Sequence, residues 1–347
     1  MLQVGIVGLA NVGKSTLFNA LLKKQQALVA NYPFATIEPN VGIVAVPDLR
    51  LQQLAEITKE EEKMEKIPPI LPATVKFLDI AGLVKGAATG AGLGNKFLAN
   101  IREVDLICHV VRDFSDNDII REGSSIDPES DKATVNTELI LADMETIGKQ
   151  KVDIKTPADK KSALEKLQKG FNEGRLASEI SFTDEEKVYV KEMQLLTFKP
   201  VLYVYNTKYD NGFSKDRLEI DARVEAELAG FSDEEQVELL KSYGMEEPGL
   251  NRLIQKAYEM LGLISYLTCG EKEVRAWTIT KAFKAPQAAG VIHTDFEKNF
   301  IKAEVVSYDN FCQFRGWKKC REMGKARLEG KEYVVCDGDV IEFKVGV

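Results

Sequence analysis

Histidine is almost absent from this 347-residue chain: His109 and His293 are the only two. Histidine-based chemistry is thereby limited to these two positions. The five cysteines (Cys108, Cys269, Cys312, Cys320 and Cys336) show no C-x-x-C or other tight ligand spacing. That argues against a zinc or disulfide framework and for reduced thiols. No apolar run approaches the ~18 residues a membrane helix needs, so no membrane partner is expected. No signal or transit segment is legible before the strand-like Val4-Gly-Ile-Val-Gly8, which makes a cytoplasmic location the expectation. A basic excess is missing too. The 46 Lys+Arg against 54 Asp+Glu leave a net charge of −8, which speaks against wholesale coating of nucleic acid. Only residues 266–347 are slightly basic, so an RNA partner is expected there if anywhere.

What is present alternates. Apolar strand candidates at Val4–Val7, Val41–Val46, Thr74–Leu78, Leu106–Val111 and Val201–Tyr205 are separated by segments of helical period, such as Leu17, Phe18, Leu21 and Leu22. This is the α/β pattern of a mainly parallel sheet covered on both faces. Strand signals vanish over about residues 134–198, where the spacing of Leu164, Leu167 and Phe171 indicates a helical insertion between the fourth and fifth strands. Beyond Tyr266 come short strand-like pieces broken by Gly, Asp and Pro. The expected division is therefore a nucleotide-binding domain over 1–265 and a small α+β domain over 266–347. The acidic run at Glu60–Lys66 reads as a solvated helix end or loop.

Gly8-Leu-Ala-Asn-Val-Gly13-Lys14-Ser15 matches G-x-x-x-x-G-K-[ST] after a strand and before a helix. In such a P-loop the glycines let backbone N–H groups face phosphate oxygens at a helix N-terminus. Lys14 then reaches the outer phosphates and the Ser15 hydroxyl ligates Mg²⁺. Val75-Lys-Phe-Leu-Asp79-Ile-Ala-Gly82 adds a strand ending in D-x-x-G. Asp79 is the candidate metal-side carboxylate, and the Gly82 N–H is the candidate sensor of the γ-phosphate. Gly86–Gly94 reads as a switch segment too glycine-rich for a fixed element. Leu83 stands where many GTPases carry a water-orienting glutamine, so slow intrinsic hydrolysis is expected.

These residues, with Asn31-Tyr-Pro-Phe-Ala-Thr36-Ile-Glu-Pro-Asn40, Gly92-Leu-Gly-Asn-Lys-Phe-Leu-Ala-Asn-Ile-Arg102, His109-Val-Val-Arg112, Lys272-Glu-Val-Arg-Ala-Trp-Thr278 and Ile292-His-Thr-Asp-Phe-Glu-Lys298, resemble the YchF family of Obg-related P-loop ATPases over nearly the whole chain. The resemblance implies a P-loop domain interrupted by a helical hairpin arm, then a β-grasp domain of the TGS type. It also implies a Mg²⁺-dependent, cytosolic nucleotide hydrolase that prefers ATP, acts as a switch on ribosomes and is linked to stress regulation. Its ribosome or rRNA contacts would run through the arm and the TGS-like domain. Position by position it makes Thr36 a switch threonine on Mg²⁺, Asn11 a ligand for K⁺, and His109 a residue that assists hydrolysis. Asn11, Val12, Gly13, Lys14, Ser15, Thr16, Asn206 and Thr207 would contact the nucleotide. From its own surroundings, Leu106–Val111, His109 reads equally as a buried core histidine.

Base recognition is where the chain departs from its relatives. Guanine selection in P-loop GTPases uses N-K-x-D, whose carboxylate accepts from N1–H and N2–H of the base. Here the strand ends in Asn206-Thr-Lys-Tyr-Asp210. With Asn206 in the asparagine place, Tyr209 occupies the specificity position and cannot make the paired acceptor contact, which favours ATP. In the other register Thr207-Lys-Tyr-Asp210 would read guanine through Asp210 and the protein would be a GTPase. Only 12 residues, Asn206–Arg217, separate this strand from the next candidate, short for a parallel crossover. Asp221-Ala-Arg223 falls where the family has a Ser-Ala base-contacting turn. In the C-terminal part, Lys281, Lys284, Lys318, Lys319, Arg321, Lys325 and Arg327 are interleaved with Trp277, Phe283, Phe311, Phe314 and Trp317, a composition able to grip RNA. A third reading is a nucleotide-stabilised binding scaffold with negligible turnover.

Overall fold

The computed structural model describes residues 2–29, 40–80, 92–115, 127–209, 217–228, 230–231 and 233–346. Thr36, Gly82, Leu83 and Asp210 lie outside the described residues, as does most of the Gly86–Gly94 segment. The chain divides into two compact units. Among the described residues, one gathers the chain up to Val44 with Lys76–Ala257, the other Ala45–Val75 with Tyr258 onward. A boundary at residue 265 leaves 45–75 with the nucleotide-binding domain, whereas the fold groups them with the second unit.

In chain order the elements are β1 (Gln3–Val7), α1 (Lys14–Val29), β2 (Val41–Ala45), α2 (Arg50–Glu61), β3 (Ile70–Leu71), β4 (Thr74–Asp79), α3 (Gly92–Glu103) and β5 (Leu106–Arg112). The insertion contributes α4 (Pro128–Gly148), α5 (Ala158–Asn172) and α6 (Asp184–Glu192). Then come β6 (Val201–Asn206), β7 (Leu218–Ile220), α7 (Ala222–Leu228), α8 (Asp233–Ser242) and α9 (Gly249–Met260). The last part holds β8 (Leu263–Cys269), β9 (Val274–Thr280), α10 (Ala285–Ile292), α11 (Thr294–Lys298), β10 (Phe300–Ser307), α12 (Tyr308–Phe314), α13 (Trp317–Glu322), β11 (Arg327–Glu329) and β12 (Asp339–Val345).

The first sheet has the order β2-β4-β1-β5-β6-β7, with parallel pairing from β4 through β7. All seven residues of β5 are buried, as the continuous apolar run of a central parallel strand requires. Helix α3 seals β1 and β5 through Phe97, Leu98 and Ile101, joined by Val104 just past its end. Its first turn, Gly92–Gly94, closes the expected switch segment and is helical. The chain leaves β1 toward β4 on one side, and β5 is added on the other. The loop after β1 therefore opens at a topological switch point, where α/β sheets bind ligands.

The insertion is helical, beginning at Pro128 rather than near residue 134. Asp127 is its N-cap, accepting from the Ser130 N–H at 3.0 Å, with Pro128 in the first turn. Ala163, Leu167, Phe171, Val190 and Met193 pack against Ile140 and Ile147 to give the arm its own core. The buried Asp143 carboxylate anchors the arm's return by accepting from Leu196 N–H, Thr197 N–H and the Thr197 hydroxyl at 2.7–2.9 Å. The connection from β6 to its parallel neighbour β7 spans only residues 207–217.

The second unit is built on the sheet β11-β10-β12-β8-β9-β3 with α10 packed on one face. Its surprise is α2 and β3, which join it from far upstream. Glu61, read as part of a solvated run, accepts from the Trp317 and Lys318 N–H groups at 3.0 and 2.7 Å, so it caps α13. Glu60 pairs with Arg315. Gly316, at φ +115°, has no room for a side chain, because a Cβ there would stand 2.2 Å from a Glu61 oxygen. Several aromatics and cations of the basic–aromatic stretch have partners within the fold. Phe311 is fully buried, Trp277 stacks on Tyr266, and Phe283 packs on the core. Arg321 is held by Glu304 and Glu342, Lys284 by Glu332, and Arg327 by Glu329. Aromatics at strand spacing have served the core. Lys281, Lys318, Lys319 and Lys325 remain exposed. Among the described residues no helix is long and apolar enough to cross a membrane.

Candidate functional site

The loop between β1 and α1 owes its shape to two glycines. Gly8 sits at φ +152°, and a Cβ there would stand 2.4 Å from the Val110 carbonyl oxygen of β5. Gly13 sits at φ +94°, where a Cβ would stand 2.2 Å from Asn206 Nδ2. Both positions combine a left-handed backbone with a close neighbour, so any side chain is excluded. Asn11 takes φ +60° between them. Asn206, at the end of β6, braces the loop. Its Nδ2 donates to the Val12 carbonyl at 2.9 Å, and its Oδ1 accepts from the Ala222 N–H at 3.0 Å at the start of α7.

A cavity of about 580 Å³ opens over this loop. Asn11, Gly13, Lys14, Ser15 and Thr16 form its phosphate end. Asn206, Thr207 and Lys208 approach from β6, and Asp221 to Val224 from the turn into α7, joined by Phe114, Glu227 and Tyr243. The size suits a nucleotide. Lys14 is 7 % exposed, and its ammonium donates to the Leu9 carbonyl. Burial pulls its pKa below the usual lysine value, with the nearby Asp79 carboxylate opposing. Asp79 ends β4 with its pKa pushed up by burial and held back by Lys14. A desolvated carboxylate and a hydroxyl are hard oxygen donors of the kind Mg²⁺ takes. Ser15 on the cavity wall and Asp79 at the adjoining strand end therefore fit that ion, although Asp79 is not itself part of the cavity lining. Among the described residues no cluster of three His, Cys, Asp or Glu side chains offers another metal site.

Two expected site residues have buried side chains. The Val12 side chain is buried, so only its backbone can serve a ligand. His109 is 1 % exposed within β5, its ring 5.4 Å from that of Tyr203, and it does not line the cavity. Burial, helped by Lys132 and Lys14, pushes its pKa down to about 3, so it is neutral at pH 7. The core reading of His109 is the one the structure supports. Its ring is enclosed by the neighbouring strands and helices in β5, near enough to the phosphate loop to feel the charge of Lys14.

Tyr209 also turns away. It is 3 % exposed, and its hydroxyl donates to Glu225 Oε1 at 2.8 Å instead of entering the cavity. Sequence reasoning missed Phe114, Glu227 and Tyr243, which come from segments with no nucleotide motif. The Arg112 guanidinium stacks on the Phe114 ring at 4.7 Å and fixes that wall.

Comparison with known proteins agrees with this geometry. Residues 3–168 match a family model described as 50S ribosome-binding GTPase, MMR_HSR1. Residues 263–346 match YchF-GTPase_C, described as a protein of unknown function (DUF933). The chain is 46% identical to the ribosome-binding ATPase YchF of Bacillus subtilis, covering 100% of both chains. It is 45% identical to the one of Escherichia coli O157:H7, covering 99% of each. The Bacillus alignment runs to 372 positions, 25 more than this chain has residues, so that relative carries residues absent here. The solved structure of the Schizosaccharomyces pombe YchF GTPase superposes with a TM-score of 0.85 at 37% identity, covering 99% of this chain and 97% of that one.

Proposed function

The chain belongs to the YchF family, and on that premise we propose that it is a Mg²⁺-dependent nucleoside triphosphatase that binds ATP and associates with ribosomes. The observation that carries this reading is the braced loop Gly8–Ser15, with a desolvated Lys14 at the head of α1 beneath a nucleotide-sized cavity. Loop N–H groups and the helix N-terminus receive the phosphates. Lys14 exchanges the Leu9 carbonyl for a phosphate oxygen, a stronger, charge-assisted partner. Ser15, with Thr36 and Asp79, would hold Mg²⁺, which when bound neutralises phosphate charge and polarises the reacting group. Gly82 senses the γ-phosphate, and Asn11 would hold K⁺ beside the loop.

The base end supports ATP. Tyr209 offers no acceptor to guanine, because it is buried and its hydroxyl faces Glu225 rather than the cavity. The competing GTPase reading rests on Asp210 and on the activity named for the S. pombe relative. Titration with ATP and GTP analogues in Mg²⁺, repeated with K⁺ replaced by Na⁺, separates these. Tighter ATP binding is expected. A GTP preference that disappears in Asp210→Ala overturns the ATP reading, and equal rates in K⁺ and Na⁺ remove the K⁺ role. The ribosome association, through the arm and the exposed lysines of the second unit, is tested by co-sedimentation over a salt series, where electrostatic RNA contact weakens as salt rises. With Leu83 in the usual glutamine place, intrinsic turnover is slow and accelerated by ribosomes. A rate that stays negligible with ribosomes present favours the scaffold reading instead.

A further inference from the structure

The base end of the cavity has no covalent frame. It is assembled from three separate pieces: Asn206–Lys208, the turn Asp221–Val224, and Tyr243. Behind all three lies one buried carboxylate. Glu225 is 1 % exposed and follows directly on the turn. Its Oε1 accepts from the Tyr209 hydroxyl at 2.8 Å and the Gly249 N–H at 2.6 Å, and its Oε2 accepts from the Leu250 N–H at 3.2 Å. Tyr209 is the residue next to Lys208, and its ring meets Tyr243 edge-on at 5.7 Å. Tyr209 and Glu225 thus tie each of the three pieces to the N-terminus of α9. That helix end adds its own partial positive charge to the carboxylate's donors. Gly249 is part of the same fit, since a Cβ there would stand 2.8 Å from the Tyr209 hydroxyl and 2.9 Å from Glu225 Oε1.

We propose that Glu225 and Tyr209 are positioning residues for the nucleotide's base. Neither touches the ligand, and together they hold the walls between which the purine lies. The arrangement also restricts what position 209 can be. An acidic side chain there would set a second carboxylate against Glu225, so that one of the two would have to take up a proton before it could donate to the other. Tyrosine supplies the donor that a buried carboxylate needs. This chain therefore positions the base from behind rather than reading it with a carboxylate at position 209. The assignment rests on the cavity being the nucleotide site.

The test is binding of ATP, GTP and inorganic tripolyphosphate by the full chain, comparing wild type with Tyr209→Phe and Glu225→Gln. Tyr209→Phe keeps the ring and removes only the donor; Glu225→Gln keeps the shape and removes the charge. In both variants the Kd for ATP and for GTP is expected to weaken together, about tenfold, while tripolyphosphate, which occupies only the loop end, binds as before. A folding defect would lower all three ligands in parallel, and that outcome overturns the assignment. Unchanged nucleotide affinity in both variants overturns it equally. A wild type that binds tripolyphosphate but neither nucleotide refutes the reading of the cavity itself, and this assignment with it.

Discussion

Asn206 and Gly13 occupy each other's space: the Asn206 amide nitrogen lies only 2.2 Å from where a Cβ on Gly13 would stand, while it donates to the neighbouring Val12 carbonyl. The strand that delivers the base contacts and the loop that receives the phosphates are one unit at this point. The second motif glycine therefore has a steric cause before any ligand arrives.

Gly13→Ala should abolish nucleotide binding and lower stability by about 1–3 kcal/mol, because it forces both a left-handed alanine and a displaced amide. Asn206→Ala leaves the Val12 carbonyl and the Ala222 N–H without their partner, at a cost of about 1–3 kcal/mol. Chemical denaturation and nucleotide titration check both. A Gly13→Ala protein of wild-type affinity would mean that the loop does not need Asn206 where it now stands.

Lys14→Met should separate function from stability. Burial lowers the pKa of Lys14, so the folded protein disfavours its charge. Removing the charge is expected to leave the melting temperature unchanged or raised, while ATP affinity falls by at least about tenfold. If the charge is what costs stability, wild-type stability also rises as pH climbs through the lowered folded pKa, and the methionine variant shows no such rise.

His109 gives a pH signature of core burial. Its folded pKa of about 3 lies below the usual histidine value, so below pH 6.5 the unfolded chain binds a proton that the folded protein refuses. Its contribution is present above that range and is lost as pH falls from about 6.5 toward 3, by no more than about 1.4 kcal/mol per pH unit. His109→Phe should flatten that dependence and leave kcat near wild type. A hundredfold loss of kcat with unchanged affinity would assign it a catalytic role.

Glu186 controls the arm in a similar way with the opposite chemistry. It accepts from Lys166, the Ser162 hydroxyl and the Thr183 N–H, and these hold its pKa down to about 2. The stabilisation is full above the ordinary glutamate pKa and disappears as pH drops from about 4.5 to about 2. Hydrogen exchange of α5 and α6 should accelerate over that window in the wild type. In Glu186→Gln, exchange should be faster at neutral pH and no longer respond to acid there.

Much of the first unit was legible because its signals are local. Buried parallel strands must be apolar throughout, so Leu106–Val111 and Val201–Tyr205 declare themselves. The P-loop declares itself because backbone N–H groups can line a phosphate only with glycines at fixed positions. The start of α4 is also written locally, since Asp127-Pro-Glu is a capped helix beginning, but the apolar period sets in only near Val135. Tyr333–Val335 carries the β-branched and aromatic residues of a strand, yet Val334 makes only an isolated bridge with Lys284. That sheet position is decided by long-range pairing, which the local sequence does not carry.

The sequence by itself determined the α/β class, the phosphate loop with Lys14 and Ser15, the strand-end Asp79 and the helical arm, because each rests on periodicity or on a motif a few residues long. Only the tertiary structure decided that His109 is core and that Tyr209 faces Glu225. It alone decided that Glu61 caps a helix beginning 256 residues later in the chain. In each of these cases the deciding partner is a side chain or an N–H group from a different element, and whether a polar group meets water, a ligand or a buried partner is fixed only when the chain has folded.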